Sequence, residues 1–304
     1  MIGPGMLSIY FYLRHLFFSS HTPSTNRHMW KQLQASFARK KARRVTREYP
    51  PVVDTYDMGR HGQIEFANWS NPLAPRITLN ASVVDFFGQF IKEGDLAIDI
   101  GANIGDTTVP MALCTGTTGV TLGFDPNPYV FKILEKNASL NAGKYVIHPQ
   151  NYAISTHDQE YFFISSEASY ANGGISPTAE SRHGRFVHPQ KVRGVQLKSF
   201  LERHYADRMS RLSFIKVDTE GYDKEIIKSI GDLLQACKPV LVAESFGKAS
   251  DAAKAELFDV IAVNGYDIWY FEDFDINAKV EKMETASDLV KFRHTVNVFA
   301  RPKA

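Results

Sequence analysis

Cysteine is nearly absent from this chain, with Cys114 and Cys237 the two in 304 residues. That count argues against a disulfide framework and for a reducing, cytoplasmic compartment. Long apolar runs are missing as well. The most apolar stretch near the N-terminus, residues 6–18, contains 13 residues and carries Arg14 and His15, short of the roughly 20 that cross a membrane as a helix. Positive charge follows that stretch instead of preceding it, and no small-residue cleavage site stands behind it, so a secretory leader is not indicated. His148, His157, His183, His188, His204 and His294 are scattered, without H-x-x-x-H spacing or a cysteine partner, which argues against a zinc site. There is no G-x-G-x-x-G, the glycine pattern of a dinucleotide pyrophosphate site. Internal repeats and low-complexity tracts are lacking too.

The formal net charge of +2 conceals an asymmetry: residues 1–50 hold nine of the 35 Lys and Arg and one of the 33 Asp and Glu. The basic character belongs to the N-terminus, which reads as an extension over 1–44. A peripheral contact with an anionic membrane through residues 6–47, a nucleic-acid contact and a solvated charge run all stay open there. Residues 45–90 carry turn signals such as Tyr49-Pro50-Pro51 and Asn71-Pro72. They suggest strands or loops laid over the main domain, a candidate lid, followed by a helix capped by Asn80 or Ser82 and running through Ile91. Hydrophobic content of 44% over this length suits one sizeable α/β core, assigned to 91–304.

Within that core, LAIDIGANIGDTTVP, residues 96–110, reads as a buried strand that breaks into a glycine turn and opens a helix. Gly101 and Gly105 allow a tight turn and close approach of a ligand, while Thr107 and Thr108 begin a helix that tolerates Pro110 in its first turn. Asp99 is a lone carboxylate in an apolar strand and needs a partner. The next strand, VTLGFDPNP at 120–128, ends in Asp125, 20 residues past Gly105. In doubly wound α/β sheets a carboxylate there bonds the hydroxyls of a ribose, although an Asp before Pro-Asn-Pro also suits a turn or helix cap. The turn is G-A-N-I-G, with Asn103 where a pyrophosphate site has its middle glycine. A ligand with a ribose and no pyrophosphate fits better, and S-adenosylmethionine (SAM) is one.

Strand and helix then alternate: a helix over 128–141, a strand over 145–154, a short strand over 161–164, and a glycine-rich stretch over 165–188 that suits a mobile, acceptor-covering loop. Further strands are expected over 212–218 and 239–245 with a helix over 224–236 between them, then a helix through Val263 and two closing strands over 266–271 and 295–301. KVDTEGYD supplies Asp218 at a strand end, Glu220 two residues on, and Gly221 to turn the chain. Two carboxylates on one turn can act as a base or hold a cation, whereas Glu220 and Asp223 can instead cap the following helix. Lys216 stands between Ile215 and Val217 and is expected to be solvated or partner-paired. His183 and His188 are secondary candidates for a base.

LAIDIGANIGDT, GFDPNP, NYAIS and FIKVDTEGYDKEIIKSI together resemble the FkbM family of SAM-dependent methyltransferases, over roughly residues 91–301. The resemblance implies a Rossmann-like, doubly wound, mostly parallel sheet with a C-terminal antiparallel hairpin, the class I methyltransferase fold. It implies SAM as cofactor, held by Asp99, Gly101, Ala102, Asn103, Gly105, Thr107, Asp125, Asn127, Asn151 and Ala153. It also implies O-methylation of a hydroxyl on a sugar, glycolipid or small metabolite, with Asp218 and Glu220 catalytic and no nucleic acid as partner. Mg²⁺ on Asp218, Glu220 and Glu244 is carried over as an analogy from some sugar O-methyltransferases. A nucleic-acid methyltransferase, a non-catalytic SAM-fold interaction module and, below these, a nicotinamide oxidoreductase are the rival readings. Neither the acceptor nor the oligomeric state is legible.

Overall fold

A computed structural model describes residues 23–181, 183–219 and 221–303, with side chains from residue 28 onward. The apolar stretch 6–18 and Glu220 therefore lie outside the described residues. Helix α1 (Pro23–Ala42) precedes an antiparallel hairpin of β1 (Pro51–Asp57) and β2 (Gln63–Trp69). Helix α2 (Ala81–Phe87) leads to β3 (Leu96–Ile100), α3 (Thr108–Thr115), β4 (Val120–Phe124), α4 (Pro128–Ser139) and β5 (Ile147–Gln150). A smaller sheet follows, built from β6 (Tyr152–Ile154), β7 (Gln159–Ser165), β8 (Gly174–Ser176), β9 (Phe186–Val187) and β10 (Val192–Val195). The chain returns through α5 (Leu197–His204), β11 (Leu212–Val217), α6 (Asp223–Ser229), α7 (Gly231–Cys237), β12 (Val240–Ser245) and α8 (Asp251–Ala262). It closes with β13 (Tyr266–Phe271), β14 (Val280–Met283), α9 (Ala286–Val290) and β15 (Val296–Pro302).

The main sheet has the order β14-β13-β15-β12-β11-β3-β4-β5. Its β5, β4, β3, β11 and β12 are parallel, and β15, β13 and β14 complete it antiparallel. The chain builds outward from β3 through β4 to β5, then resumes on the other side of β3 with β11. Strand order reverses between β3 and β11, and in open α/β sheets ligands bind beyond the strand ends at that point.

Burial follows from strand alternation. Leu96, Ile98 and Ile100 share one core with Ile215, Val217, Ile226 and Leu234, whereas Ala97, Phe214 and Val242 share another with Phe86, Phe87 and Met111. Phe87 meets Phe214 edge-on at 5.4 Å and Phe86 stacks on Phe271 at 5.3 Å, so α2 seals the second face with aromatic contacts. Both faces are covered, and every residue of β3 and β4 is buried.

Four elements depart from expectation. Asn80 does cap α2, accepting from Val83 N, but the α-helix stops at Phe87 because the chain tightens into i→i+3 bonds past Gly88. The helix expected over 224–236 is two, α6 and α7, which meet at Ile230 ahead of Gly231, a residue that weakens helix continuity. The strand expected over 145–154 divides at Asn151, with β5 in the main sheet and β6 parallel to β10 in the smaller one. The loop expected over 165–188 is folded onto β7, which pairs with both β8 and β9 and leaves Tyr170 buried.

Candidate active site

Asp99 and Lys216 face one another across adjacent parallel strands. Their side chains are 0% and 4% exposed, and Lys216 Nζ lies 3.2 Å from Asp99 Oδ1. The same ammonium is 3.2 Å from Asp218 Oδ2, whose side chain is 37% exposed. Thr107 and Thr108 each donate a hydroxyl to Asp99 Oδ2 at 2.7 Å. A buried carboxylate is thus compensated by three partners, one cation and two hydroxyls, as burial requires. Burial alone would lower the Lys216 pKa, but the charges of Asp218, Asp99 and Asp106 outweigh it and hold the ammonium protonated. Asp106, just before α3, is pushed up to about 6 by burial against the pull of Lys216.

The glycine turn brings the two strand ends into contact. Gly101 has φ 79°, and a Cβ there would stand 1.8 Å from the Asp218 carbonyl oxygen, so no other residue fits. Asp218 N donates to Ile100 O at 3.0 Å, and Ala102 N to Phe124 O at 3.0 Å. Asn103 is exposed at φ 47°, and Gly105 follows at φ 102°.

Asp125 closes this turn from the end of β4. Its Oδ2 accepts from Asn103 N at 2.9 Å and its Oδ1 from Asn127 N at 2.8 Å. Burial raises its pKa to about 7 even though both amides favour the ionised form. Asn151 Nδ2 donates to the Asp125 carbonyl at 2.8 Å. Asn127 caps α4, accepting from Tyr129 N and Val130 N, while its Nδ2 donates to Tyr170 O at 2.8 Å. Its side chain is therefore engaged within the protein. Ala153 lies in β6 beside Gly194, in the smaller sheet.

Asp223 organises the acidic turn, accepting from Thr219 Oγ1 at 3.1 Å and Gly221 N at 3.2 Å. Burial, with the charge of Asp218, pushes it up to about 6. Glu244 stands on β12 opposite Asn297. Among the described residues no group of three or more His, Cys, Asp or Glu is placed to hold a metal ion, so the Mg²⁺ analogy gains no support from them. The ring of His183 lies over Gly174. His188 is buried edge-on to Tyr129 and Tyr170 with Nδ1 at the main chain of Gln190, an aromatic packing role.

Three residues outside the sequence-based set build the site. Lys216 is partner-paired and not solvated; its signal was a lysine within a strand apolar enough to be covered on both faces. Asp106 was legible as a carboxylate two residues before a helix start. Asn137 gave no such signal: it donates to Ile104 O at 2.7 Å and Ala67 O at 3.0 Å, tying the glycine turn to β2 from α4.

Sheet order and strand directions define a doubly wound α/β protein with an antiparallel end. Residues 99–268 match the model of the methyltransferase FkbM domain, and the chain belongs to that family. A hexuronic acid methyltransferase, AglP, of Haloferax volcanii is 25% identical over 151 residues, covering 50% of this chain and 56% of the relative. The chain thus spans about half the length of that curated relative. Among solved structures, a SAM-dependent O-methyltransferase from Thermotoga maritima aligns at 11% identity with TM-score 0.41, over 76% of this chain and 68% of the other. Methyltransferase FkbM from Methylobacillus flagellatus aligns at 11% identity with TM-score 0.41, over 71% and 50%.

Proposed function

We propose that this protein methylates a hydroxyl oxygen of a sugar, with SAM as donor and Asp218 as the base. The observation that carries the reading is the placement of Asp218, a part-exposed carboxylate at the switch point, gripped by a buried ammonium. The residues also fit the cofactor: Asp125 has no ion pair among the described residues and a pKa raised to about 7, so its carboxylate gains from hydroxyl donors such as those of a ribose. Asp125, Asn151 and the turn from Gly101 to Gly105 would hold SAM, which supplies an electrophilic methyl group when bound. Asp218 takes the proton of the acceptor hydroxyl as oxygen attacks. Lys216 fixes the orientation of that carboxylate, while Asp99, Thr107 and Thr108 anchor Lys216. The name of the Haloferax relative supports a sugar, and specifically a uronic acid, as the first acceptor class to try.

The test is methyl transfer from labelled SAM to uronic acids, neutral sugars and glycolipids. Asp218→Asn is expected to lower the rate by about 100-fold or more while SAM affinity stays near normal. Because Lys216 already brings a positive charge between Asp99 and Asp218, chelator and added Mg²⁺ are expected to leave the rate unchanged. Wild-type turnover by Asp218→Asn removes the base assignment, and tighter binding of NAD than of SAM removes the cofactor.

A further inference from the structure

We propose that α1 docks the protein onto an anionic lipid surface. Trp30, Leu33 and Phe37 are 55%, 43% and 68% exposed, and their spacing of three and four residues puts them on one side of the helix. Lys31, Arg39, Lys40, Lys41, Arg43 and Arg44 are exposed around and beyond that stripe, and no Asp or Glu precedes Glu48 in the sequence. Lys40 Nζ lies 6.0 Å from the Phe37 ring centre, so charge and apolar surface are presented together. The helix is tied to the body at its C-terminal end, where Ala42 is fully buried and the Arg43 carbonyl accepts from Ala168 N at 3.3 Å. Residues 28–41 are otherwise exposed or at most half-buried. A helix draws most of its stability from packing an apolar face, and among the described residues nothing buries this stripe.

Charge decides the occupant. A second copy of the chain would bring the same uncompensated positive charge to the interface, and repulsion opposes that pairing. Nucleic acid matches the charge but offers a helix no apolar phase for Leu33 and Phe37. An anionic bilayer offers both: phosphates for the cations, and the acyl boundary for Trp30, Leu33 and Phe37. Lys and Arg stems can lie along that boundary with their heads in the phosphate layer. This inference does not depend on the methyltransferase reading.

The experiment is co-sedimentation of the full chain with phosphatidylcholine vesicles containing about 30% phosphatidylserine, against vesicles of phosphatidylcholine alone. Binding is expected to the anionic vesicles only, to fall with added salt, and to shift Trp30 emission to the blue. Two variants separate the contributions: Trp30→Ser/Leu33→Ser/Phe37→Ser, and Lys40→Glu/Lys41→Glu/Arg44→Glu. Each is expected to weaken vesicle binding by about tenfold or more with an unchanged melting temperature, because these side chains face away from the core. Equal binding to neutral vesicles, or full binding by both variants, overturns the proposal. So does salt-sensitive binding to duplex DNA or RNA without vesicle binding, or a dimer in solution that the first variant abolishes.

Discussion

Asp99 and Asp125 end neighbouring parallel strands, and the protein treats them in opposite ways. Asp99 is fully buried and charge-matched by Lys216, with two threonine hydroxyls on its second oxygen. Asp125 is 9% exposed, and among the described residues its carboxylate accepts from the amides of Asn103 and Asn127 alone. One carboxylate is finished within the protein; the other still gains from a donor. A strand-end carboxylate is therefore not one kind of site: its neighbours decide whether it is charge-matched within the protein or, as proposed for Asp125, left to a ligand.

The largest expected effect comes from breaking the finished pair. Lys216→Met leaves Asp99 buried without its cation, which costs about 3–5 kcal/mol for a pair of this kind. Urea unfolding measures it, and Asp99→Asn/Lys216→Met should recover most of the loss because no buried charge is then orphaned. A single variant as stable as wild type would show that the pair does not hold the two strands. A smaller effect is expected at the unfinished carboxylate. Asp125→Asn keeps size and removes charge, so SAM affinity measured by calorimetry should weaken by about 1.5–3 kcal/mol, the scale of hydrogen bonds to a charged group. Unchanged affinity in a folded variant would move the ribose elsewhere.

The smallest effect is a pH dependence. Asp106, Asp125 and Asp223 are raised to about 6, 7 and 6, so the folded chain keeps protons that the unfolded chain releases nearer the ordinary carboxylate value. Their contribution to stability is whole below that value and is lost as pH rises through about 6 to 7. The unliganded melting temperature should fall over that window. SAM affinity should rise over the same window, since ribose hydroxyls donate to the ionised form of Asp125, and Asp125→Asn should flatten that rise. An affinity independent of pH in the wild type would contradict the bonding assigned to Asp125.

Much of the core was readable along the chain. Apolar segments at 96–100, 120–124 and 212–217 are strands because continuous apolar runs between glycine turns suit a sheet covered on both faces. The Asn80 cap, the glycine turn and the closing antiparallel strands also lie where local patterns put them, whereas the cap of α4 is Asn127 and not Asp125. Of the smaller sheet, β6 and β7 overlap segments that read as strands, but β8 and β9 do not: they are three and two residues long, and such short segments become strands only because β7 offers them an edge. Asn137 is a polar residue on a helix until α4 packs against β2 and the glycine turn.

The sequence by itself determined which backbone segments turn, cap and alternate, because those preferences are set by each residue and its near neighbours. Gly101 can take φ 79° wherever it stands. Only the tertiary structure decided what the charges do. Lys216 and Asp99 are 117 residues apart along the chain and become partners because β11 returns to pair with β3. A carboxylate's ionisation depends on the dielectric and the charges around it, and those are assembled from distant segments when the sheet closes.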